Sequence, residues 1–371
     1  MRRITLVAAL TLVAALGTST PSQAKTGMEL AAQDDAVFLT QAYLKHTKGF
    51  QLLQQLNVRW LRVNVSWSSV VGARAARSRS KPSNLRYDFS AFDTLINAAS
   101  ANGVNLELGL TGTAPAYATG NKKTGPYKPN AKLFREFVEA AVNHFKGHVT
   151  RYSIWNEPNH TGWLAPLKSQ ASLYRSLYTT GYAAIKAIDP SAEVLIGETA
   201  PYASNKRVAQ PPLTFLRAVT KSGSLKADGY AHHPYDLLGH APKYKFPGKD
   251  NVTIGTLDRL TKFLDSLARS NKLETPDGRP LNLYLTEFGY LRSGRKKVKE
   301  STRARWIRQA YDIALKNGRV EQMLHFLIAQ PTKRYLFFDT SLTSRSGSKT
   351  ATFNALADWA SDNSSKVNLR R

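Results

Sequence analysis

Short apolar runs of strand length alternate along this chain with longer stretches whose apolar residues recur at helical spacing. Residues 131–145 are the clearest helix, with Leu133, Phe134, Phe137, Val138, Ala141, Val142 and Phe145 on one face. Similar spacing predicts helices over 41–55, 90–101, 168–188, 256–268 and 302–317, and a last one carrying Phe353, Leu356 and Trp359. Stop signals agree with these bounds: Ser90 reads as an N-cap with Asp93 in the first turn, and Asn102-Gly103, Gly147, Asp189-Pro190 and Gly318 read as ends. Between them lie strand-like runs at 58–67, 104–110, 152–157, 193–197, 228–235, 281–287 and 320–330, with a weak first strand over 33–39. Residues 73–86 read as a basic, Ser-rich loop, and 118–130 as a loop of Gly, Lys and Pro. About eight strand–helix units in strict alternation predict a parallel sheet closed on itself, an α/β fold with a single (β/α)8 barrel. No internal repeat and no interdomain linker interrupts it.

One strand shows which way its faces point. Leu61, Val63 and Val65 alternate with Arg62, Asn64 and Ser66. In a barrel the apolar set meets the helices and the polar set faces inward, toward the mouth where active sites sit. A buried arginine needs an acid, and Glu287 or Glu107 are the partners expected for Arg62. Glu107 itself reads as a core ion-pair acid.

Two strand ends carry candidate chemistry. The run Tyr152-Ser153-Ile154-Trp155-Asn156-Glu157-Pro158-Asn159 stops on a carboxamide, a carboxylate and a proline. Pro158 has no N–H for a ladder, so the strand ends there. Neighbouring strand residues point to opposite faces, so Asn156 and Glu157 can share a pocket only if the strand bends at its tip. The second end is Thr286-Glu287-Phe288-Gly289. Two carboxyls on strand tips are what glycoside hydrolysis uses, one as proton donor and one as nucleophile or base. The residues beside them suggest opposite pKa shifts: apolar Trp155 and Pro158 next to Glu157, and Arg62 and Tyr235 as partners that favour an ionised Glu287.

On these motifs the chain resembles clan A of the retaining glycoside hydrolases, the barrels of cellulase family 5 and β-xylosidase family 39. The resemblance covers roughly residues 28–361 and also takes in Arg62-Val63-Asn64-Val65-Ser66-Trp67, His233-Pro234-Tyr235 and Asp339-Thr340-Ser341-Leu342. It implies a catalytic domain over 25–371, with Glu157 as general acid/base, Glu287 as nucleophile and Asn156 on the sugar 2-hydroxyl. It further implies that Arg62 holds Glu287 ionised, that Tyr235 orients it and that His233 lines the pocket. The expected reaction is net-retaining hydrolysis of a β-linked oligo- or polysaccharide, with no cofactor. The clan's usual strand-eight tryptophan is missing: the run reads His325-Phe326-Leu327-Ile328-Ala329-Gln330. Phe326 or a loop aromatic takes its place, or the innermost sugar subsite differs. The same barrel used as a catalytically impaired carbohydrate-binding or cell-wall-associated protein is the alternative reading, and the intact Glu157/Glu287 pair favours the enzyme.

Composition adds compartment and partners. Arg2 and Arg3 precede an apolar run over 4–16 and a small-residue site at Ser22-Gln23-Ala24, the pattern of a secretory signal peptide over 1–24. Zero cysteines exclude disulfides and thiolate metal sites, and an export signal without cysteine suggests a bacterial, extracellular protein. The formal charge is +26, from 52 Lys+Arg against 26 Asp+Glu. It suits loose adhesion to anionic cell-wall polymers. Its basic clusters carry no interleaved aromatics, which argues against nucleic acid. His232 and His233 lack the spacing for a third metal ligand, so no metal is expected and one of them is expected to pack between strand and helix. Trp163 is a candidate sugar platform or a loop anchor, and Tyr117 and Tyr127 are weaker candidates. Asn159-His160-Thr161 matches a glycosylation acceptor.

Overall fold

The computed structural model describes residues 27–369 apart from Ser204, so the signal segment expected over 1–24 lies outside the described residues. Eight parallel strands close into a barrel. They are β1 (Glu29–Gln33), β2 (Trp60–Ser66), β3 (Asn105–Thr111), β4 (Arg151–Ile154), β5 (Glu193–Thr199), β6 (Gly229–His232), β7 (Leu283–Leu285) and β8 (Val320–Phe326). Each pairs with its successor, and β8 closes on β1 with Glu29 opposite Gln322. A long helix follows each strand: α1 (His46–Gln55), α2 (Ser90–Ala101), α3 (Ala131–Phe145), α4 (Gln170–Ile188), α5 (Pro212–Val219), α6 (Leu257–Arg269), α7 (Glu300–Lys316) and α8 (Ala351–Asp362). Leu225–Lys226 and Leu273–Glu274 form a small parallel pair outside the barrel. This is the single (β/α)8 barrel that the alternation predicts.

The core is layered by the strand period. On β2, Leu61, Val63 and Val65 are fully buried against the helices, and Arg62 is fully buried on the opposite, inner face. Its neighbour across the ladder is Glu107 of β3. Arg151, the first residue of β4, sits toward the barrel's N-terminal end. Its guanidinium lies 3.7 Å from the Trp60 ring and 4.6 Å from the Tyr284 ring, and donates to Glu29 at 2.7 Å and Glu193 at 2.6 Å. Burial pushes the Glu107 carboxyl up to about 7, against the pull of Arg151 and Arg62.

Several sequence expectations change. The first strand is Glu29–Gln33, ahead of the expected 33–39, where Asp35–Phe38 is instead a helical turn. Its Ala-rich sequence has weak strand preference, and pairing on both sides with β8 and β2 holds it in place. The basic segment expected as a loop contains the turn of helix Gly72–Arg77. Ser90 is inside α2, whose N-cap is Phe89 without a side-chain cap, and Asp88 just ahead of it accepts from the Ser90 N–H at 3.0 Å. Asn159 is fully buried, its side-chain amide bonded to the Ala200 and Gln210 carbonyls, so it is no glycosylation acceptor.

Candidate active site

The tip of β4 bends as a shared pocket requires. Trp155 has φ +71° and Glu157 φ +36°, left-handed backbone that non-glycine residues adopt at a cost and keep where the surroundings enforce it. The enforcement is visible. The Trp155 indole is fully buried 5.5 Å from Phe134 and donates to the Trp163 carbonyl at 3.0 Å. Opposite it is Gly112, where a Cβ would come within 2.7 Å of the indole. The Glu157 N–H donates to the Glu198 carbonyl at 2.9 Å. The bend brings Asn156 and Glu157 into one cavity of about 770 Å3 at the C-terminal mouth, a volume within the usual range of small-ligand sites.

Glu287, beyond the end of β7, enters the same cavity. Its Oε1 accepts from Arg62 Nη1 at 3.0 Å and its Oε2 from the Tyr235 hydroxyl at 3.2 Å. Arg62 also donates to Asn156 Oδ1 at 3.1 Å, to Glu198 at 3.2 Å and to Gln33, and stands 3.8 Å from Glu107. With its oxygen taken, Asn156 is left its NH2 to offer a ligand. His233, just past β6, joins the two halves: Nδ1 lies 3.1 Å from Glu157 and 3.7 Å from Glu287, and Nε2 lies 2.7 Å from Glu198. With Glu198 at Nε2 and Glu287 near Nδ1, the ring is held as a cation. Burial alone would lower the His233 pKa, but Glu287, Glu157 and Glu198 raise it to about 10.

The electrostatics differ from the sequence expectation in two ways. Burial pushes the Glu287 carboxyl up, and His233 and Arg62 oppose that without cancelling it, while Glu157 and Glu198 add to the rise. Arg62 and Tyr235 therefore orient Glu287 without making it an unusually strong acid. The Trp155 ring packs away into the protein, so the neighbour of Glu157 is the His233 cation, in place of the apolar wall expected.

Residues that sequence reading passed over complete the site. Glu198, at the end of β5 with φ +50°, is fully buried and accepts from Arg62, His233 and the Thr286 hydroxyl. Burial opposes its charge, but Arg62 and His233 outweigh it and lower the carboxyl to about 2. The signal for it was a third strand tip of the same kind, Glu198-Thr199-Ala200-Pro201. Gln33, Asp34, Asp35 and His160 also line the cavity. The Asp34 carboxylate accepts from the Ile328 and Ala329 amides at 3.0 and 2.9 Å, locking the tip of β1 to the end of β8.

Trp163 lines the cavity on the β4 side. On the β8 side Phe326, Phe337 and Phe338 line it where the strand-eight tryptophan is missing, with Phe326 and Phe338 edge to face at 5.8 Å. Tyr117 and Tyr127 do not line it; Tyr117 is buried edge-on against Trp67 at 6.4 Å. His232 is buried and bonded to Thr199 and the Val252 carbonyl, and burial lowers its pKa to about 3.

A closed parallel barrel with carboxyls from three strand tips at its C-terminal mouth defines a barrel of the glycoside hydrolase class. The profile of the cellulase family, glycosyl hydrolase family 5, matches residues 20–321, and the chain belongs to that family. No curated protein matches the chain by sequence. Among solved structures it is similar to a family 39 glycoside hydrolase from Bacteroides cellulosilyticus, at 16% identity and TM-score 0.67, over 91% of this chain and 64% of that one. It is also similar to a family 39 β-xylosidase from Caulobacter crescentus, at 20% identity and TM-score 0.61, over 90% and 71%. A family 39 enzyme from Xanthomonas axonopodis pv. citri gives 20%, TM-score 0.61, and 90% and 66%. The chain thus spans less than two thirds of the first of these proteins.

Proposed function

We propose that this protein is a secreted, retaining glycosidase that cleaves β-linked oligo- or polysaccharides by double displacement. The observation that carries the reading is His233 Nδ1, which touches both Glu157 and Glu287. Two oxygens that share one nitrogen at 3.1 and 3.7 Å are no further apart than those distances end to end, and any angle at the nitrogen shortens that. The bound suits the separation of about 5–5.5 Å used in retention better than the about 6.5–9.5 Å used in inversion.

In the first step Glu157 gives its proton to the glycosidic oxygen while a Glu287 oxygen attacks the anomeric carbon. The leaving sugar departs with the proton, and a glycosyl ester forms on Glu287. The charge that appears on Glu157 faces the His233 cation. In the second step Glu157 takes a proton from water, the water oxygen attacks the anomeric carbon, and Glu287 is released. The Asn156 NH2 holds the sugar 2-hydroxyl, a contact that strengthens as the oxocarbenium character grows. Tyr235 and Arg62 keep the Glu287 carboxylate aimed. Trp163 and the Phe326–Phe338 pair offer apolar faces on either side of the carboxyls. The expected leader over 1–24 supports export, and the basic surface supports loose adhesion to anionic wall polymers.

The test is Glu287→Ala on a panel of 4-nitrophenyl β-glycosides. Turnover should vanish, and azide should restore it as the glycosyl azide of inverted configuration. NMR of the wild-type reaction should show a first-formed β-anomer; a first-formed α-anomer would overturn the mechanism.

A further inference from the structure

The cavity and the molecule carry opposite charge. The chain has 52 Lys+Arg against 26 Asp+Glu, yet among the described residues that line the cavity no lysine or arginine occurs, and four carboxyls do: Asp34, Asp35, Glu157 and Glu287. Arg62 lies beneath the floor, fully buried, with its guanidinium given to Gln33, Asn156, Glu198 and Glu287. His233 is likewise held between Glu157 and Glu198. A negative group on a bound sugar would therefore meet carboxyls with no lysine or arginine among the described lining residues to receive it; the His160 ring, whose Nδ1 accepts from the Gly162 N–H, is the one basic side chain there.

The four acids are not alike. Glu157 and Glu287 are the proposed reacting pair. Asp34 is consumed by backbone amides of the segment just past β8 and of the turn that follows β1. Asp35 is less fully engaged: burial pushes its carboxyl up to about 7, against the pull of Arg62, Gln33 and the Asn64 amide, so it stands near the balance of acceptor and donor. It is half-buried, keeps part of its surface open to the cavity, and accepts a long bond of 3.4 Å from the Gln33 amide. Gln33 in turn accepts from Arg62, which donates to Glu287. One relay of side chains thus ties Asp35 to Glu287 along the β1 side of the cavity.

We propose that Asp35 is a specificity-determining residue that accepts hydrogen bonds from the hydroxyls, or an ammonium group, of the sugar seated on Glu287, so that the enzyme takes an uncharged or amine-bearing glycone and rejects a uronic acid. The basic exterior then acts on polymer or wall charge outside the cavity, and the acidic interior selects the residue that is cleaved. This inference rests on the reading of the cavity as a glycosidase subsite.

The experiment uses matched 4-nitrophenyl glycosides: β-glucoside, β-glucosaminide and β-glucuronide, and β-galactoside with β-galacturonide. Wild-type kcat/KM should favour the neutral or amino member of each set over the uronide by about 100-fold or more, as expected when a buried polar group selects its substrate. In Asp35→Asn, which keeps the side-chain shape, kcat/KM on the preferred substrate should fall roughly 10-fold or more and the ratio to its uronide should shrink by a similar factor. The thermal midpoint reports whether the variant is folded. Equal turnover of uronide and neutral sugar, or a ratio unchanged in Asp35→Asn, overturns the proposal. Turnover of none of the panel would count against the hydrolase mechanism instead. Asp35 is then judged by calorimetric binding of the same sets to wild type and Asp35→Asn, where a neutral or amino member that fails to bind tighter than its uronide overturns it.

Discussion

Both nitrogens of His233 face carboxyl groups, and its pKa near 10 follows from Glu287, Glu157 and Glu198 overcoming burial. The sign of its stability effect is fixed by that direction. The folded pKa is raised above the ordinary value of 6.5, so the contribution is complete below about 6.5 and is lost as pH rises through about 10. The wild-type thermal midpoint should therefore fall between pH 7 and about 10 by more than that of His233→Asn, a difference that differential scanning calorimetry reads directly. The same variant should lose turnover by roughly 100-fold or more, because the charge appearing on Glu157 would face a neutral amide. For Glu157→Ala, steady-state assays should show a loss of roughly 100- to 10,000-fold on poor leaving groups and a much smaller one on 2,4-dinitrophenyl glycosides, which depart without a proton. At this scale the acids were legible: Glu157 stands beside Pro158, and Glu287 two residues before Gly289, at strand ends. Glu198 had the same mark. Asp35 had none, because nothing in a Gln-Asp-Asp run says which acid binds backbone and which faces open space.

At the scale of elements, the tip of β4 depends on a ring and a missing side chain. Trp155 is fully buried, and Gly112 makes room for it. Trp155→Ala should lower stability by about 3–5 kcal/mol through lost burial and the cavity left behind, as read from urea unfolding. Gly112→Ala, whose Cβ would sit 2.7 Å from the indole, should cost about 1–3 kcal/mol and reduce turnover, since displacing the ring moves Glu157 with it. The helices were legible because their apolar stripes are long; α3 falls on the expected residues. β1 was not, since Glu29–Gln33 contains no β-branched or aromatic residue and is a strand by virtue of its two neighbours. The left-handed backbone at Trp155, Glu157 and Glu198 was also invisible, because no glycine marks it.

For the whole molecule, the sign of the surface and the sign of the cavity separate two kinds of binding. Adhesion to an immobilised polyanion, driven by a formal charge of +26, should be released by added salt. Turnover of an uncharged aryl glycoside should change by less than about twofold over the same range, because buried charge pairs are screened far less than exposed ones. Chromatography on heparin beside an activity assay of the same fractions tests both. Loss of activity in step with adhesion would show that the basic surface acts in the site itself.

The alternation of strand and helix periods was enough to set the closed barrel, and proline and glycine were enough to mark where two acids of its mouth stand. Those features are local: each depends on a residue and its neighbours a few positions away. What the tertiary structure decided is which charges meet. Arg62, Glu198, His233 and Glu287 come from different strands, and their protonation depends on burial and on distances of about 3 Å across the barrel. No spacing along the chain encodes those distances, because they follow from how the closed sheet turns each strand's inner face toward the others.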